Sequence, residues 1–479
     1  MVEADYMRIP NLLMPQIMRN KLLLLAGAVA LGACSSVLDV PPTSSVPSET
    51  AISDAAGARA ALSGAYAGLQ QAGLYGHTLV DWTEVLSDNG RFVGTFDNYA
   101  DADALAERAD NSSAASIWNA SYDEINRANE LIQKVPNVPD LTQVEKNEIV
   151  GEAYFLRALT YHNMVKLWGG NGPLGVPLRL EPVPSATDIG DVARVSTAEV
   201  YTQILADLAQ AKSLITDDEQ TRQASLGAVS AIEARVRLYQ GDYAGAEAAA
   251  AAVEAMGYSL ASNFSDLFDA SGSDTDEDIF RVTFTPTQAG SVSFFYLAKS
   301  LGGRREVAPT TGTTGIIAAF DPASGGNIAN YHPTDARGIW SITFVPPTPT
   351  TSTTYAAKFR NPGGDEDIHV IRFGEVILIR AEALARLTVP RLVEAVVEYN
   401  RLRVRAGLVA DPTIGLTQAG VLAAIARERR LELAFEGDRW PDFVRLGVLP
   451  VGFPAGQELL PIPQAELDVS PNIQQNPGY

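Results

Sequence analysis

Apolar residues return every three or four positions along several stretches of the chain, which is the spacing of one face of an α-helix. The most apolar stretch, 151–168, has Leu156, Met164 and Leu167 at this spacing, so we expect a helix here that is central to the core. The same spacing predicts further helices at 52–73, 117–135, 197–215, 225–241, 243–256, 373–386 and 392–406. The pattern therefore predicts a mainly α fold.

Small residues are spaced alike in two of the predicted helix pairs. Ala234 and Ala246 stand twelve positions apart across a turn, and Ala383 and Ala395 repeat that spacing. Small residues at matching positions of a helix–turn–helix let the two helices approach closely, as in tetratricopeptide repeats. We therefore predict a tetratricopeptide-like helical-repeat scaffold.

Two long stretches lack a helical period. Residues 74–111 mix aromatic residues with glycine, aspartate and asparagine, which is typical of a surface excursion. Residues 263–367 alternate glycine-, proline- and threonine-rich coil with short β-branched and aromatic runs that predict strands. These runs are 279–284, 291–297 and 339–345. We interpret 263–367 as a loop-rich, ligand-facing insertion between an N-terminal helical part, 51–262, and a C-terminal helical part, 368–479.

The segment 427–445 carries many charges beside apolar residues at helical spacing. It predicts a helix that Gly437 terminates, followed by a second short helix that Asp438 caps. Arg429 and Glu432 stand three positions apart, so we expect them to pair on the surface of the first helix.

Composition limits the partners of this chain. It has 479 residues, of which 46% are hydrophobic, and a formal net charge of −21 at pH 7. Such an acidic chain is repelled by nucleic acid and by anionic membrane surfaces. We therefore expect no nucleic-acid partner.

The N-terminus has the pattern of an export signal. Basic residues within 18–21 precede a short apolar run, 22–31, and a Leu-Gly-Ala-Cys sequence ends at Cys34, the only cysteine. The apolar run is shorter than the about 20 residues that span a bilayer. The Leu-Gly-Ala-Cys sequence has the form of a lipobox, so we predict a lipoprotein signal peptide at 1–33, lipidation of Cys34 and a tether at 34–50.

Three segments carry a distinctive order of residues. They are GEAYFLRALTYHNMVKLW at 151–168, ERRLELAFEGDRWPDFVRLG at 428–447 and LLPIPQAELDVSPNIQQNPGY at 459–479. Together they resemble the SusD/RagB family. The resemblance implies an outer-membrane lipoprotein that captures oligosaccharides, or in some members peptides, for a SusC-like TonB-dependent transporter without cleaving them. It also implies structural roles for Arg430, Glu432, Glu436, Arg439 and Trp440.

The sequence contains no recognisable set of catalytic or metal-binding residues. Its four histidines are scattered and make no zinc-binding motif. Asp274, Asp276 and Asp278 alternate as in a calcium loop but lack the glycine and glutamate of an EF-hand, so they predict a solvated acidic turn. We expect no metal, no cofactor and no enzymatic activity. A carbohydrate-active hydrolase on a helical scaffold and a structural helical-repeat adaptor stay open as alternatives.

The two irregular stretches offer clustered aromatic residues that no helical period assigns to a core. We therefore predict that ligand binds between these stretches. The predicted ligand-binding residues are Trp82, Phe96 and Tyr99 from the first stretch and Tyr331, Arg337 and Trp340 from the second. The rings would stack on the ligand and the arginine would donate paired hydrogen bonds. Some of the rings would instead pin the long loops to the scaffold.

The lipid anchor gives a direct test. We expect the Cys34→Ser protein to lose both palmitate labelling and fractionation with the outer membrane, because it lacks the thiol that the lipobox presents for acylation. The unaltered protein, expressed at the same level, is the control. Labelling and membrane association that persist in the variant would show that Cys34 is not the anchor.

Overall fold

The computed structural model describes residues 51–183, 190–216, 221–268, 273–344, 354–449 and 452–479. The predicted signal peptide, Cys34 and the tether lie outside the described residues. Residues 52–479 form one unit.

Helices dominate both ends of the described chain, as the apolar spacing predicts. The helices are α1 (Ala55–Gly68), α2 (Thr78–Val85), α3 (Asp97–Asp103), α4 (Ser112–Lys134), α5 (Gln143–Trp168), α6 (Thr197–Leu214), α7 (Leu226–Gln240), α8 (Tyr243–Ala255), α9 (Val292–Tyr296), α10 (Ile316–Phe320), α11 (Ala336–Ser341), α12 (Phe373–Arg386), α13 (Leu392–Arg405), α14 (Gln418–Glu432), α15 (Arg439–Leu446) and α16 (Gln464–Val469). A π-helical turn, Ala72–Gly76, precedes α2.

Helix α5 is central, as predicted. Residues from Ile149 to Trp168 are buried at nearly every position, including charged side chains such as Glu152, Arg157 and Lys166, so the rest of the protein surrounds the helix there. The helix begins eight residues before the predicted start, where Thr142 and Glu145 form a capping box that satisfies the first backbone N–H groups. Helices α4 and α6 pack along it.

The repeat-like scaffold is confirmed in two helix pairs. Gly241, at φ +81°, makes the left-handed turn between α7 and α8, and α12 and α13 form the second pair. Ala234, Ala246, Ala383 and Ala395 are all fully buried. Each lies where a larger side chain would separate the paired helices, and α8 packs against α12 to join the two pairs.

The strands are short and antiparallel. They are β1 (Gly90–Phe92), β2 (Asp278–Val282), β3 (Val307–Pro309), β4 (Ile342–Phe344), β5 (Thr354–Ala356) and β6 (Ile368–Arg372). Their pairs are β1–β3, β2–β6 and β4–β5. The predicted strand at 279–284 is confirmed as β2, but 291–297 forms helix α9, and the described part of the third run, 339–344, is divided between α11 and β4. Packing of adjacent rings against buried neighbours outweighs the β preference of residues 292–296.

Residues 74–111 differ from the predicted surface excursion. Every residue of α2 is buried, and α15 packs against it. Short helices and turns supply the backbone hydrogen bonds that an irregular loop could not satisfy in this position.

Buried ion pairs hold the C-terminal helices to the insertion. Glu432 is fully buried and accepts from Arg372 Nη1 at 2.6 Å, Arg405 Nη2 at 2.5 Å and Arg337 Nη1 at 3.4 Å. The predicted pairing of Arg429 with Glu432 is wrong, because Arg429 faces Asp442 at 2.7 Å and Glu375 at 3.0 Å.

The turn between α14 and α15 also differs from the prediction. α14 ends at Glu432, and Gly437, at φ +88°, lies within the following turn instead of ending the helix. Asp438 occupies the N-cap position of α15, but its side chain makes no capping hydrogen bond to the described residues. Phe435, at φ +67°, is the other left-handed residue of this turn.

The remaining residues with an implied structural role all contact other parts of the protein. Arg430 donates to Asn89 Oδ1 at 2.9 Å, and Arg439 donates to Asp88 Oδ1 at 2.7 Å. Glu436 accepts from Lys358 at 2.7 Å and from Arg372 at 2.8 Å. Trp440 is buried beside the ring of Phe453.

Glu432→Gln should lower the free energy of unfolding by about 3–5 kcal/mol, because it removes the charge that three buried arginines share. Glu394→Gln is the matched control, since Glu394 pairs with Arg391 at the surface, where such pairs contribute less than about 1 kcal/mol. Denaturant titration of both variants measures the difference. Equal effects of the two substitutions would remove the structural role assigned to Glu432.

Buried carboxyl groups whose pKa values are shifted in opposite directions set the pH dependence of stability. Burial alone would raise the pKa of Glu436, but the charges of Arg372 and Lys358 outweigh it and lower the pKa to about 2. A group with a depressed pKa contributes stability above its unfolded pKa, about 4.3 for glutamate, that is lost as the pH falls towards 2. Burial instead raises the pKa of Glu84 and Glu366 to about 7. Their contribution is present below the unfolded pKa and is lost as the pH rises through 7.

We therefore expect the melting temperature to be highest at about pH 4.5–5 and to fall on both sides. Glu84→Gln should raise the free energy of unfolding at about pH 8, by up to about 3 kcal/mol, and leave it unchanged at about pH 4.5, because the amide cannot ionise. Melting curves across this range test both statements. An equal effect of Glu84→Gln at the two pH values would contradict the assignment.

Candidate functional site

The two irregular stretches of the sequence meet at one sheet. Strand β1 pairs with β3, with Gly90 opposite Pro309 and Phe92 opposite Val307. Beyond the pair, the Val93 N–H donates to the Glu306 carbonyl at 2.8 Å. Segments 90–99 and 294–309 therefore lie side by side.

Aromatic rings cluster where these two segments meet. Phe295 stacks on His77 with ring centroids 4.4 Å apart, on Tyr99 at 5.5 Å and on Phe96 at 6.0 Å. Phe294 meets Phe295 edge-on at 6.1 Å, and 37% of Phe294 is exposed. We call Phe96, Phe294, Phe295 and the adjacent Arg304 the aromatic platform.

A buried carboxylate holds the platform in place. Glu306 pairs with Arg304, whose guanidinium lies 4.2 Å from the Phe96 ring centroid, and accepts from the Thr95 N–H at 2.9 Å. Gly94 permits this contact, because a Cβ at that position would lie 1.4 Å from Glu306 Oε2. Arg304 and Phe96 therefore keep a defined orientation at the surface.

Trp340 presents a second ring with a stacked arginine. The Arg360 guanidinium lies 3.4 Å from the Trp340 ring centroid, and its Nη2 donates to the Trp340 carbonyl at 2.7 Å. The indole N–H donates to the Lys358 carbonyl at 3.2 Å. Trp340 is half-buried and Arg360 is exposed, so both reach solvent.

Four of the six predicted ligand-binding residues lie in the interior, which corrects the expectation that they are exposed. Trp82, Tyr99, Tyr331 and Arg337 have at most 5% of their surface exposed. They are therefore not available for contact with a ligand in this structure. Phe96 and Trp340 are the predicted residues that remain accessible.

Each buried residue has a partner inside the protein. The Trp82 indole N–H donates to the Asn98 carbonyl at 3.1 Å, and the Tyr99 hydroxyl donates to Asp81 at 2.6 Å. The Tyr331 hydroxyl donates to the Gly338 carbonyl at 3.0 Å. These rings hold loops against the scaffold, and the Tyr99 ring also stacks on Phe295.

Arg337 is part of the ion-pair network and does not face the site. It donates to Asp335 at 2.6 Å and Glu428 at 2.9 Å, in addition to Glu432. Burial alone would lower its pKa, but these carboxylates outweigh burial and raise the pKa well above the ordinary value.

Sequence reasoning missed Phe294, Phe295 and Arg304. The strand prediction for 291–297 put alternate side chains on opposite faces, whereas helix α9 and the turn after it bring these residues to one platform. The run of three aromatic residues at 294–296, followed by adjacent arginines at 304 and 305, was the available signal.

The acidic run near residue 274 is not a solvated turn throughout. Asp278 is buried and lies 2.7 Å from His369 Nε2. Within the described residues, no three histidine, cysteine, aspartate or glutamate side chains group as a metal site requires. No helix of the described chain combines the length and apolarity needed to cross a membrane.

A separate cleft of about 240 Å³ opens beside α1 and β2, lined by Tyr66, Gln70, Arg222 and Phe280 among others. Arg222 there pairs with Asp274 and Asp367. No predicted ligand-binding residue lines this cleft, and the aromatic platform offers the larger set of surface rings.

Comparison with known proteins identifies the class. Residues 37–238 match a family model described as SusD-like, starch-binding associating with outer membrane, and residues 323–449 match the SusD family model. The chain is 29% identical to SusD-like protein P2 of Formosa agariphila over 94% of this chain and 98% of the relative. It is 26% identical to SusD-like protein P38 of the same organism over 95% and 98%.

Solved structures share the fold. A SusD superfamily protein from Bacteroides vulgatus has a TM-score of 0.75 at 21% identity, covering 89% of this chain and 99% of that one. A laminarin-binding SusD-like protein has a TM-score of 0.72 at 25% identity, covering 89% and 100%. The chain belongs to the SusD/RagB family.

Proposed function

We propose that this protein is a non-catalytic, lipid-anchored glycan-binding protein that delivers its ligand to a SusC-like TonB-dependent transporter in the outer membrane. Family membership supports glycan binding, since the first matching family model is described as starch-binding and a structural relative binds laminarin. The lipobox-like sequence at Cys34 supports the anchor.

The observation that carries the proposal is the aromatic platform. Phe294 is an exposed ring held against Phe295, and an exposed aromatic face can cover the apolar face of a sugar. The guanidiniums of Arg304 and Arg360 are each fixed over a ring, where they can donate to hydroxyl groups. Phe96 and Trp340 orient these donors, whereas the sequence predicted that both rings would stack directly on the ligand.

The geometry also implies modest affinity for a single sugar. An aromatic contact contributes about 1 kcal/mol beyond its buried area. Several sugar units, or closure of the transporter over the ligand, would raise the affinity by adding contacts within one complex. An extended oligosaccharide therefore fits the platform better than a monosaccharide.

Phe294→Ala should weaken binding of laminarihexaose about fivefold, because it removes about 1 kcal/mol of ring contact. Leu301→Ala is the matched control, since Leu301 is an exposed apolar side chain a few residues along the chain. Calorimetric titration measures both, with the melting temperature as the check of folding. Equal binding by the two folded variants would remove the platform from the site, and release of reducing sugar would contradict a non-catalytic role.

A further inference from the structure

The cleft beside α1 and β2, which we call the α1–β2 cleft, is separate from the aromatic platform. The residues that line it belong to α1 and the two residues after it, to 222–223 and to 280–288, and none of the four platform residues is among them. Its volume of about 240 Å³ is below the roughly 300–1,000 Å³ of pockets that enclose a drug-sized ligand. The cleft therefore suits a ligand of one or two rings.

The inner wall of the α1–β2 cleft is apolar. Leu69, Phe280 and Val282 line it and are buried. The ring of Tyr66 is half-buried and lies at 54° to the Phe280 ring, with the ring centroids 6.5 Å apart. A ligand in the cleft therefore meets carbon atoms on this side, including those of an aromatic ring.

Hydrogen bonds within the protein fix the Tyr66 ring. Its hydroxyl group donates to Glu152 and accepts from the Ala224 N–H at 2.8 Å. Because the hydroxyl group is held from both sides, the ring keeps one orientation beside the cleft. A ring held in this way can cover the apolar face of a sugar without losing freedom of movement on binding.

Side-chain amides form the polar part of the lining. Gln70, Gln223 and Gln288 all line the cleft, and Gln223 is half-buried whereas Gln288 is exposed. The Gln70 Nε2 donates to the Thr283 carbonyl at 2.5 Å, which orients that amide. Each amide group has two N–H donors and an acceptor oxygen, which match hydroxyl groups that both donate and accept.

The charged groups of the α1–β2 cleft neutralise one another. Arg222 pairs with Asp274 at 2.8 Å and with Asp367 at 3.1 Å. Arg281 pairs with Asp274 and lies 3.7 Å from both Asp278 and Asp367. An anionic ligand would meet these carboxylates and a cationic ligand would meet the two guanidiniums, so the lining favours a neutral ligand.

The backbone beside the cleft does not favour an extended peptide. A peptide that adds to a sheet needs free N–H and carbonyl groups along a strand edge. Here the Arg281 N–H donates to the Thr221 carbonyl at 2.8 Å, and the Thr283 carbonyl accepts from the Gln70 side chain. Side chains, and not the strand edge, are therefore the groups that a ligand meets.

We propose that the α1–β2 cleft is a second carbohydrate-binding site, which takes one or two units of a neutral glycan. A sugar ring stacks on Tyr66, and its hydroxyl groups bind the amides of Gln223 and Gln288. This inference rests on the proposed glycan-binding function. Together with the aromatic platform, the cleft gives the protein two contacts for one polymer, and such paired contacts raise the overall affinity.

Photocrosslinking of the purified full chain with two neutral probes tests the inference. The probes are laminaritriose and maltotriose, each with a diazirine at its reducing end, because a structural relative binds laminarin and the first matching family model is described as starch-binding. We expect at least one probe to label peptides in two places, the lining of the α1–β2 cleft and the aromatic platform. Excess unlabelled trisaccharide should suppress both.

Ser63→Trp should reduce the labelling of the cleft at least about tenfold and leave the labelling of the platform unchanged, because the indole fills the cleft. Ser63 is an exposed residue of α1 that lines the cleft, and its hydroxyl donates to the Arg59 carbonyl. Ser213→Trp is the matched control, since Ser213 is an exposed helical serine whose hydroxyl donates to the Gln210 carbonyl. The melting temperature of each variant checks folding.

Gln223→Ala should raise about fivefold the concentration of unlabelled trisaccharide that halves the labelling of the cleft, because one neutral hydrogen bond is lost. Gln210→Ala is the control, since Gln210 is an exposed residue of α6 outside the cleft. It should leave that concentration unchanged. Equal behaviour of the two variants would overturn the role of Gln223.

The other outcomes separate the two proposals. Labelling confined to the platform, or labelling of the cleft that survives Ser63→Trp, would overturn the second site and leave the proposed function in place. Labelling confined to the cleft would support the cleft and remove the platform from the site. Absence of any labelling that trisaccharide suppresses would overturn both proposals. Suppression of the labelling of the cleft by tetra-alanine, at the concentration at which trisaccharide acts, would assign the cleft to peptides and overturn the carbohydrate class.

Discussion

The burial of Glu432 is the constraint on which much of the structure depends. Transfer of a carboxylate from water into a protein interior costs several kcal/mol unless cations replace its hydration. Here those cations are Arg337 from α11, Arg372 at the end of β6 and Arg405 at the end of α13. The burial of Glu432 in α14 therefore depends on the insertion, on strand β6 and on helix α13.

This arrangement also determines where the aromatic platform lies. From α14 and from the start of α15, Arg430 and Arg439 donate to Asn89 and Asp88, which immediately precede β1. Strand β1 pairs with β3, and the segment between β3 and α9 carries Arg304. A contiguous set of polar contacts thus connects the family's charged C-terminal segment to the surface that we propose binds glycan.

Features that depend on residues close together in the sequence are easier to predict than contacts between distant segments. Helical spacing identifies α5, α12 and the small residues of the repeat pairs because each pattern lies within a few turns. Arg337, by contrast, lies 95 residues from Glu432, and no periodicity reveals that pairing. Trp82 likewise stands in a glycine- and aspartate-rich stretch that is typical of loops, yet it is fully buried and its indole N–H donates to the Asn98 carbonyl. Exposure at the candidate site depends on such distant partners.

The arginines of this protein illustrate the same limit. In the scaffold, Arg372 and Arg405 pair with the buried carboxylate of Glu432, so their charges neutralise it and hold helices together. At the aromatic platform, Arg304 pairs with Glu306 and its guanidinium lies over the Phe96 ring, at the surface that we propose binds glycan. The amino-acid sequence alone does not distinguish the arginines of the scaffold from the arginine of the platform. They differ in burial, since 1% of the Arg372 side chain and 38% of the Arg304 side chain are exposed, and burial depends on partners that are distant in the sequence.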